Sequence, residues 1–580
     1  MKNRKNPHTW KLIKQGFVNN RGKLILLVLL CLTSACLASV SPLIYAAIID
    51  TLIPSGELNR IYLYVLALIA IPVASSVLAN FRNILSFKTS DAVTQELRRG
   101  VFAKIIRLKA GEFDRFGPSA LTFRLSRAAG QVGEIYLNNT ILILIQAGLS
   151  LLMVMIPMFL LDWHLALSSL IAFPATYLVM MQVRKHVFDK DDKLYETLAN
   201  GEAMIRESME GMRQTKLFGG QKRVRERLDR WLAEHAEVKL ASLRVHEFER
   251  VSLPELCLDL LYGMIFIYGA VLTIRRSITI GTLVAFIAYV PRAFAAIREL
   301  LGTQVSLHSA EPAIRSIEEV LSAAEEADGT LPLPAARGGI NFQNVSFAYG
   351  DDGHFVLQNV SFHVEPGEAV AIVGETGGGK STILRLLLRL VTPTEGTVLL
   401  DGADIQSYLL SDYRARFAVV EQDHFLWNDT LEQNLIWPEN TPKHPAYENA
   451  VRDAVLTGFV RDLPQGDGTM LGEKGHSVSG GEGQRIHLAH AFYTNREILI
   501  LDEPTSALDA WTEAEAARTI AGMKGKHTIL SVTHRLSTIL GFDRIIVLKN
   551  GRIIENGAPD ALLAQKGDFC TMCREQGLVS

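Results

Sequence analysis

The run Gly374-Glu375-Thr376-Gly377-Gly378-Gly379-Lys380-Ser381 has the residue types and spacing of a phosphate-binding loop. Its glycines let successive backbone N–H groups close around phosphate oxygens, and the N-terminus of the helix that follows adds a favourable dipole. Lys380 is the expected counter-charge to the β- and γ-phosphates of a nucleoside triphosphate. Ser381 offers its hydroxyl to Mg²⁺, and Thr382 follows in the first turn of the helix. Further along, the apolar run Ile498–Leu501 ends in Asp502 and Glu503. An acid at the end of a buried strand can hold Mg²⁺, which assigns Asp502. Glu503, one residue on, is placed to orient or deprotonate an attacking water. Two acids after an apolar run are commonplace by themselves. Together with the loop they supply what binding and cleaving ATP require.

The elements around these residues agree with that chemistry. The loop follows the apolar strand Ala369–Val373 and precedes the helical run Ile383–Leu390. Other short β-rich runs, Ile340–Phe347 and Thr528–Val532, alternate with helical stretches, the pattern of an α/β domain. Before them, Leu321 to Gly339 turns acidic, small and proline-containing (Glu325, Glu326, Asp328, Gly329, Pro332, Pro334), which reads as a linker. We therefore expect a membrane domain over 1–322, a linker over 323–339 and a nucleotide-binding domain over 340–580.

Hydrophobic residues make up 48% of the 580, which suits membrane spans joined to a globular part. The net charge of −2 gives no global case for a nucleic-acid partner. Apolar stretches long enough to span a bilayer lie at 24–48, 61–80, 140–160, 163–183, 256–274 and 279–298. Lys and Arg crowd the flanks that an even number of spans places with the N-terminus, from Lys2 to Lys23, Arg98 to Arg127 and Arg184 to Arg250. The short loop Asp50–Arg60 carries one basic residue, although Arg275 and Arg276 cut against the trend. The balance predicts both termini and the nucleotide-binding domain in the cytoplasm. The two long inner connections are polar with helical periodicity, so the spans should run on, turn and return. Gly111–Ser119 and Glu207–Gly219 are the candidate turns. Asp259 and Arg292 are charges inside spans, expected to pair or to line a polar cavity. Five scattered cysteines make no disulfide framework, and the Cys570/Cys573 pair reads as part of a terminal helix.

Further motifs carry a resemblance to one family. Val478-Ser479-Gly480-Gly481-Glu482-Gly483-Gln484-Arg485 resembles the signature motif of ABC transporters, and Leu501-Asp502-Glu503-Pro504-Thr505-Ser506-Ala507-Leu508-Asp509 is similar to their Walker B and D-loop run. Ser531-Val532-Thr533-His534 resembles the switch-histidine segment, Gln422 the Q-loop glutamine and Tyr349 the aromatic that stacks on adenine. Gly472-Glu473-Lys474-Gly475 is similar to the X-loop of the exporter type. The resemblance implies an all-α, six-helix exporter-type (type IV) transmembrane domain followed by an α/β P-loop nucleotide-binding domain. It implies ATP and Mg²⁺ as cofactors, with Gln422 joining Ser381 and Asp502 at the metal and with Glu503, His534 and Gln422 in catalysis. Ser479, Gly480, Gly481 and Glu482 would contact the ATP held by a second copy. The departures are Gly378 for Ser, Glu482 for the signature's final Gln and Val478 for its leading Leu. With no catalytic residue missing, a homodimer is favoured.

The function so implied is an ATP-hydrolysing exporter of the bacterial inner membrane. It would work in the lipid bilayer by alternating access on an amphipathic peptide, lipid or small-molecule cargo. Siderophore import on an exporter fold and an ATP-gated channel or sensor are the alternatives. The opening Arg21-Gly22-Lys23, leading into an apolar span that ends Ser41-Pro42-Leu43-Ile44, resembles lasso-peptide exporters, and the segment Lys216-Leu217-Phe218-Gly219-Gly220-Gln221 resembles lipid A flippases.

Overall fold

Forty-nine consecutive residues, Leu58–Ile106, form one helix. At 1.5 Å per residue that is roughly 70 Å, more than twice the thickness of a hydrocarbon core. The computed structural model describes residues 7–248, 252–333, 335–349, 354–375, 377–472 and 475–579. Among the sequence assignments, Thr376, Glu473 and Lys474 therefore lie outside the described residues. The chain divides into two units: Met1–Ile106 with Gly117–Ala323, and Arg107–Phe116 with Ala324–Ser580.

The first unit is helical. Among the described residues, five segments are long and apolar enough to cross a bilayer: Arg21–Ser55, Leu58–Ile106, Leu142–Leu161, Leu253–Ile274 and Ile280–Leu300. The expected span at 163–183 lies at the start of the helix Trp163–Glu210, where many side chains fall outside the described residues. That helix stops at Gly211, the short helix Met212–Leu217 follows, and the chain returns through Gln221–Glu247. The core gathers Met158, Leu165, Ile265, Phe286 and Tyr289 from four helices, all buried to within 2% exposure. Asp50, just beyond the first span, accepts from the Thr279 hydroxyl (2.5 Å) and the Gly281 amide (2.9 Å). Its negative charge thereby caps the N-terminus of the helix Ile280–Ser322, where the helix dipole favours an anion.

Asp259 and Arg292 do not pair. Asp259 is exposed on the helix Leu253–Ile274, whereas Arg292 donates to the Ala38 carbonyl on the first span. Equal distance from the connecting turn sets their depth but not their direction, and the two residues leave their helices on different sides. Of the two, Arg292 lines a cavity of about 470 Å³ between the helices.

The second unit is built on two sheets among the described residues. One is antiparallel in the order β2-β1-β4-β5, from Ile340–Phe347 (β1), Leu357–Val364 (β2), Glu395–Leu400 (β4) and Ala403–Asp404 (β5). The other has the order β10-β9-β3-β8-β7-β6, from Ala369–Gly374 (β3), Phe417–Val420 (β6), Ile498–Asp502 (β7), Thr528–Val532 (β8), Arg544–Lys549 (β9) and Arg552–Gly557 (β10). Its inner strands pair in parallel, and β3 and β8 are buried at every residue; β3 reads as an unbroken apolar run, while β8 also buries Thr528 and Ser531. The strand β3 sits between β9 and β8, and β7 lies on the far side of β8. The C-terminal ends of β3, β7 and β8 thus open on one edge, where ligands bind in sheets of this type.

The acidic, proline-containing stretch after Ala323 is held against this unit. Arg414 makes a two-pronged pair with Glu326 (2.9 and 2.7 Å), Leu410 donates to Asp328, and the amides of Arg337 and Gly339 donate to Asp401. The helix Ala110–Phe116 belongs to the same unit, tied through Lys109 to the Ala324 carbonyl (3.1 Å) and through Glu326 to the Arg107 carbonyl (2.9 Å).

Candidate ATP site

The phosphate loop leaves the end of β3 through backbone that only glycine tolerates well. Gly374 has φ +148°, and a Cβ there would lie 2.0 Å from the Leu548 carbonyl oxygen. Gly379 has φ +97° as N-cap of the helix Lys380–Leu387, with Leu357 against it. Lys380 is only 6% exposed. Its ammonium folds back to donate to the carbonyls of Gly374 (2.9 Å) and Glu375 (2.7 Å), which closes the loop into a ring. The Gly378 amide also donates to the Glu375 carbonyl (3.2 Å). Burial holds the Lys380 ammonium below its usual pKa, opposed by the carboxylates of Glu503 and Asp502.

Ser381, one residue on, hydrogen-bonds Asp502 at the end of β7. Burial raises the Asp502 carboxyl above its ordinary range, and Glu503 and Glu421 add to the effect. Such a crowd of carboxylates beside a serine hydroxyl is an oxygen donor set that a divalent cation relieves, so the residues fit Mg²⁺. Ser381, Asp502 and Gln422 all line a cavity of about 510 Å³, together with Tyr349, Gly111 and Asp114. The Tyr349 hydroxyl lies 3.1 Å from that of Thr382, and its ring is 54% exposed, open to stacking.

Glu503 occupies the left-handed region (φ +49°), a conformation that costs a non-glycine residue about 1–2 kcal/mol. Its amide donates to Val532 on β8 (2.8 Å), and its carboxylate meets Gln422 Nε2 (3.4 Å) and His534 Nε2 (3.4 Å). The sequence places these three residues far apart. The end of the parallel sheet brings them together. Burial lowers the His534 imidazole below its usual pKa; Lys380 reinforces this and Glu503 opposes it. The ring is therefore neutral at pH 7, one nitrogen donating and the other accepting.

Ser479 is the N-cap of the helix Gly480–Thr494 and forms a reciprocal capping box with Glu482. The Ser479 amide and hydroxyl both donate to Glu482 Oε2 at 2.7 Å. Burial works to raise the Glu482 carboxyl, yet the hydrogen bonds from Ser479 hold it below the ordinary value. Glu482 is thus more than a mild replacement for Gln: it already engages the hydroxyl proton of Ser479. The spacing Ser-x-x-Glu ahead of a helix was the available signal. Gly480 and Gly481 pack on Ala507, where a Cβ on Gly481 would meet the Ala507 carbonyl oxygen at 3.0 Å.

Sequence reasoning missed Gln484. It is fully buried in the same helix, donates to the Glu503 carbonyl (2.7 Å) and accepts from the Ala507 amide (2.9 Å). It joins the signature helix to the backbone of Glu503. A neutral amide beside Ile486 and Leu488 in an otherwise apolar stripe is the only trace of this in the sequence.

Comparison with known proteins agrees with the fold. Residues 24–296 match the family model described as ABC transporter transmembrane region, and residues 357–506 match that of ABC transporter. The chain is 30% identical to the ATP-dependent lipid A-core flippase of Chromobacterium violaceum, covering 97% of both proteins. It is 32% identical to the flippase of the same name from Cupriavidus metallidurans, over 84% of this chain and 82% of that one. A solved bacterial Atm1-family ABC exporter with ATP bound superposes with a TM-score of 0.83 at 25% identity, covering 97% of this chain and 99% of the other. The ring-closed phosphate loop, the acids at the end of β7 and the capped signature helix are thus found in a membrane-spanning, ATP-driven transporter: the chain belongs to the ABC transporter family, as a half-transporter of the exporter type.

Proposed function

We propose that two copies of this chain form an inner-membrane exporter that hydrolyses ATP and moves an amphipathic lipid out of the cytoplasm by alternating access. Both termini and the nucleotide-binding domain lie on the cytoplasmic side in this reading. The observation that carries it is the convergence of Lys380, Ser381, Gln422, Asp502, Glu503 and His534 at one edge of one sheet. The names of the relatives support lipid as the cargo class, and they weigh against siderophore import or a gated channel. The cavity bearing Arg292 and Glu299, otherwise walled by small residues such as Ala38 and Ser75, supports a cargo with a polar head.

The chemistry assigned to each residue follows from its surroundings. Lys380 exchanges its loop carbonyls for phosphate oxygens, and Ser381, Asp502 and Gln422 would hold Mg²⁺, which would supply charge neutralisation at the phosphates. Glu503 orients and deprotonates the water, with His534 and Gln422 fixing its carboxylate. Tyr349 stacks on the base. Ser479 and the amides of Gly480 and Gly481 meet the γ-phosphate of the partner's ATP, because each loop already holds its own nucleotide. ATP then joins the two copies, and its cleavage releases them. The helix Ala110–Phe116, in the same unit as Gln422, is suited to carry that change towards the membrane helices.

Glu482→Gln tests the shared site. The charged cap competes with phosphate for the Ser479 hydroxyl and places an anion beside it. A neutral amide binds that hydroxyl more weakly, by about 1 kcal/mol. The half-saturating ATP concentration for hydrolysis is expected to fall roughly fivefold. An unchanged or higher value, with the melting temperature preserved, would remove Ser479 from the nucleotide.

A further inference from the structure

The switch histidine is gripped from two sides, and one of the grips comes from the end of the chain. The helix Asp568–Glu575 buries Phe569, Cys570 and Cys573 in the core. Immediately after it, the Gln576 side chain donates to the His534 carbonyl (2.6 Å) and accepts from the Leu536 amide (3.0 Å). One planar amide closing on an acceptor and a donor two residues apart fixes the orientation of that backbone as well as its position. On the other side, Arg535 donates to the Ser506 carbonyl (2.9 Å) and pairs with Glu513. Between the phosphate loop, the histidine and the terminal helix lies a cavity of about 270 Å³, bordered by Gly374, Glu375, His534, Met572 and Gln576. Leu536 anchors the segment in the core, but side-chain packing from the terminal helix does not fill the space beside His534, where the Gln576 hydrogen bonds reach its backbone.

We infer that Gln576 is a positioning residue for hydrolysis, holding the His534 backbone so that the imidazole reaches Glu503 and the phosphate it serves. The inference rests on the ATPase reading given above. Gln576 is exposed, and its side chain bonds main-chain groups of residues 534 and 536. Its removal should therefore loosen the histidine without disturbing the core beneath the helix.

The test is steady-state ATPase of the full-length chain in lipid nanodiscs. The variants are Gln576→Met, which keeps the side-chain length without the hydrogen bonds, Gln576→Ala, His534→Ala and the double variant His534→Ala/Gln576→Met. Displacing a catalytic group by a fraction of an ångström to an ångström costs up to about a hundredfold. We expect kcat to fall roughly tenfold in both Gln576 variants, with half-saturating ATP and melting temperature unchanged. In the His534→Ala background, Gln576→Met is expected to cost nothing further, since the group it positions is gone. Wild-type kcat in both Gln576 variants would overturn the inference. So would equal losses in the two backgrounds, or kcat, half-saturating ATP and melting temperature shifting together, each of which marks a purely structural role. Absence of ATP hydrolysis by the wild type would instead overturn the ATPase reading on which the inference stands.

Discussion

Replacing Glu503 with glutamine is expected to cut ATP turnover by roughly 10²–10⁴-fold, the usual loss when a general base is removed, while ATP still binds. The substitution keeps the shape of the side chain and leaves the amide's bond to Val532 untouched. It removes the carboxylate assigned to the water, which His534 and Gln422 face as orienting partners. The bound nucleotide then has no exit through cleavage, so the variant should retain ATP and accumulate as a two-copy, ATP-bound species. Single-turnover hydrolysis and nucleotide retention on rapid desalting measure both effects. Turnover at the wild-type rate would end the assignment of Glu503 as base.

Lys380→Met is the second large effect. The ammonium is almost wholly buried, and burial already disfavours its charged form. Methionine fills similar space without the charge, so the melting temperature should hold within a few degrees even though the loop ring at Gly374 and Glu375 opens. A hydrogen bond to a charged group is worth about 1.5–3 kcal/mol, and phosphate loses at least one such bond. ATP affinity is therefore expected to drop by roughly 10- to 150-fold, measured by fluorescent-nucleotide displacement. Unchanged affinity would mean that Lys380 closes the loop and does nothing for phosphate.

What was legible in the sequence was whatever local rules write there. A phosphate loop needs glycines at fixed offsets and a strand before it, so residues 369–381 announce themselves. Asp502 and Glu503, commonplace by themselves at the end of Ile498–Leu501, became legible once set beside that loop. The spans were readable from length and hydropathy. Contacts that depend on azimuth or on backbone partners were not. Depth alone left Arg292 either to pair with Asp259 or to line a cavity; it lines one and reaches Ala38 on another helix. The acids after Ala323 entered only as part of a linker's composition, and nothing there foretold that Glu326 is matched to Arg414 from a distant segment. Gln484 and Gln576 bind main-chain groups, which any residue can offer, so no pattern of side chains foretells them. Glu482 was legible but misweighed: it was counted as a replacement for Gln rather than as a helix cap.

The measurement closest to the central claim is movement of labelled lipid in proteoliposomes whose nucleotide-binding domains face outward, wild type against Glu503→Gln. The account predicts ATP-dependent transfer of lipid from the outer to the inner leaflet by the wild type and none by the variant. Equal transfer by the two proteins, or no transfer by a wild type that hydrolyses ATP vigorously, would contradict it.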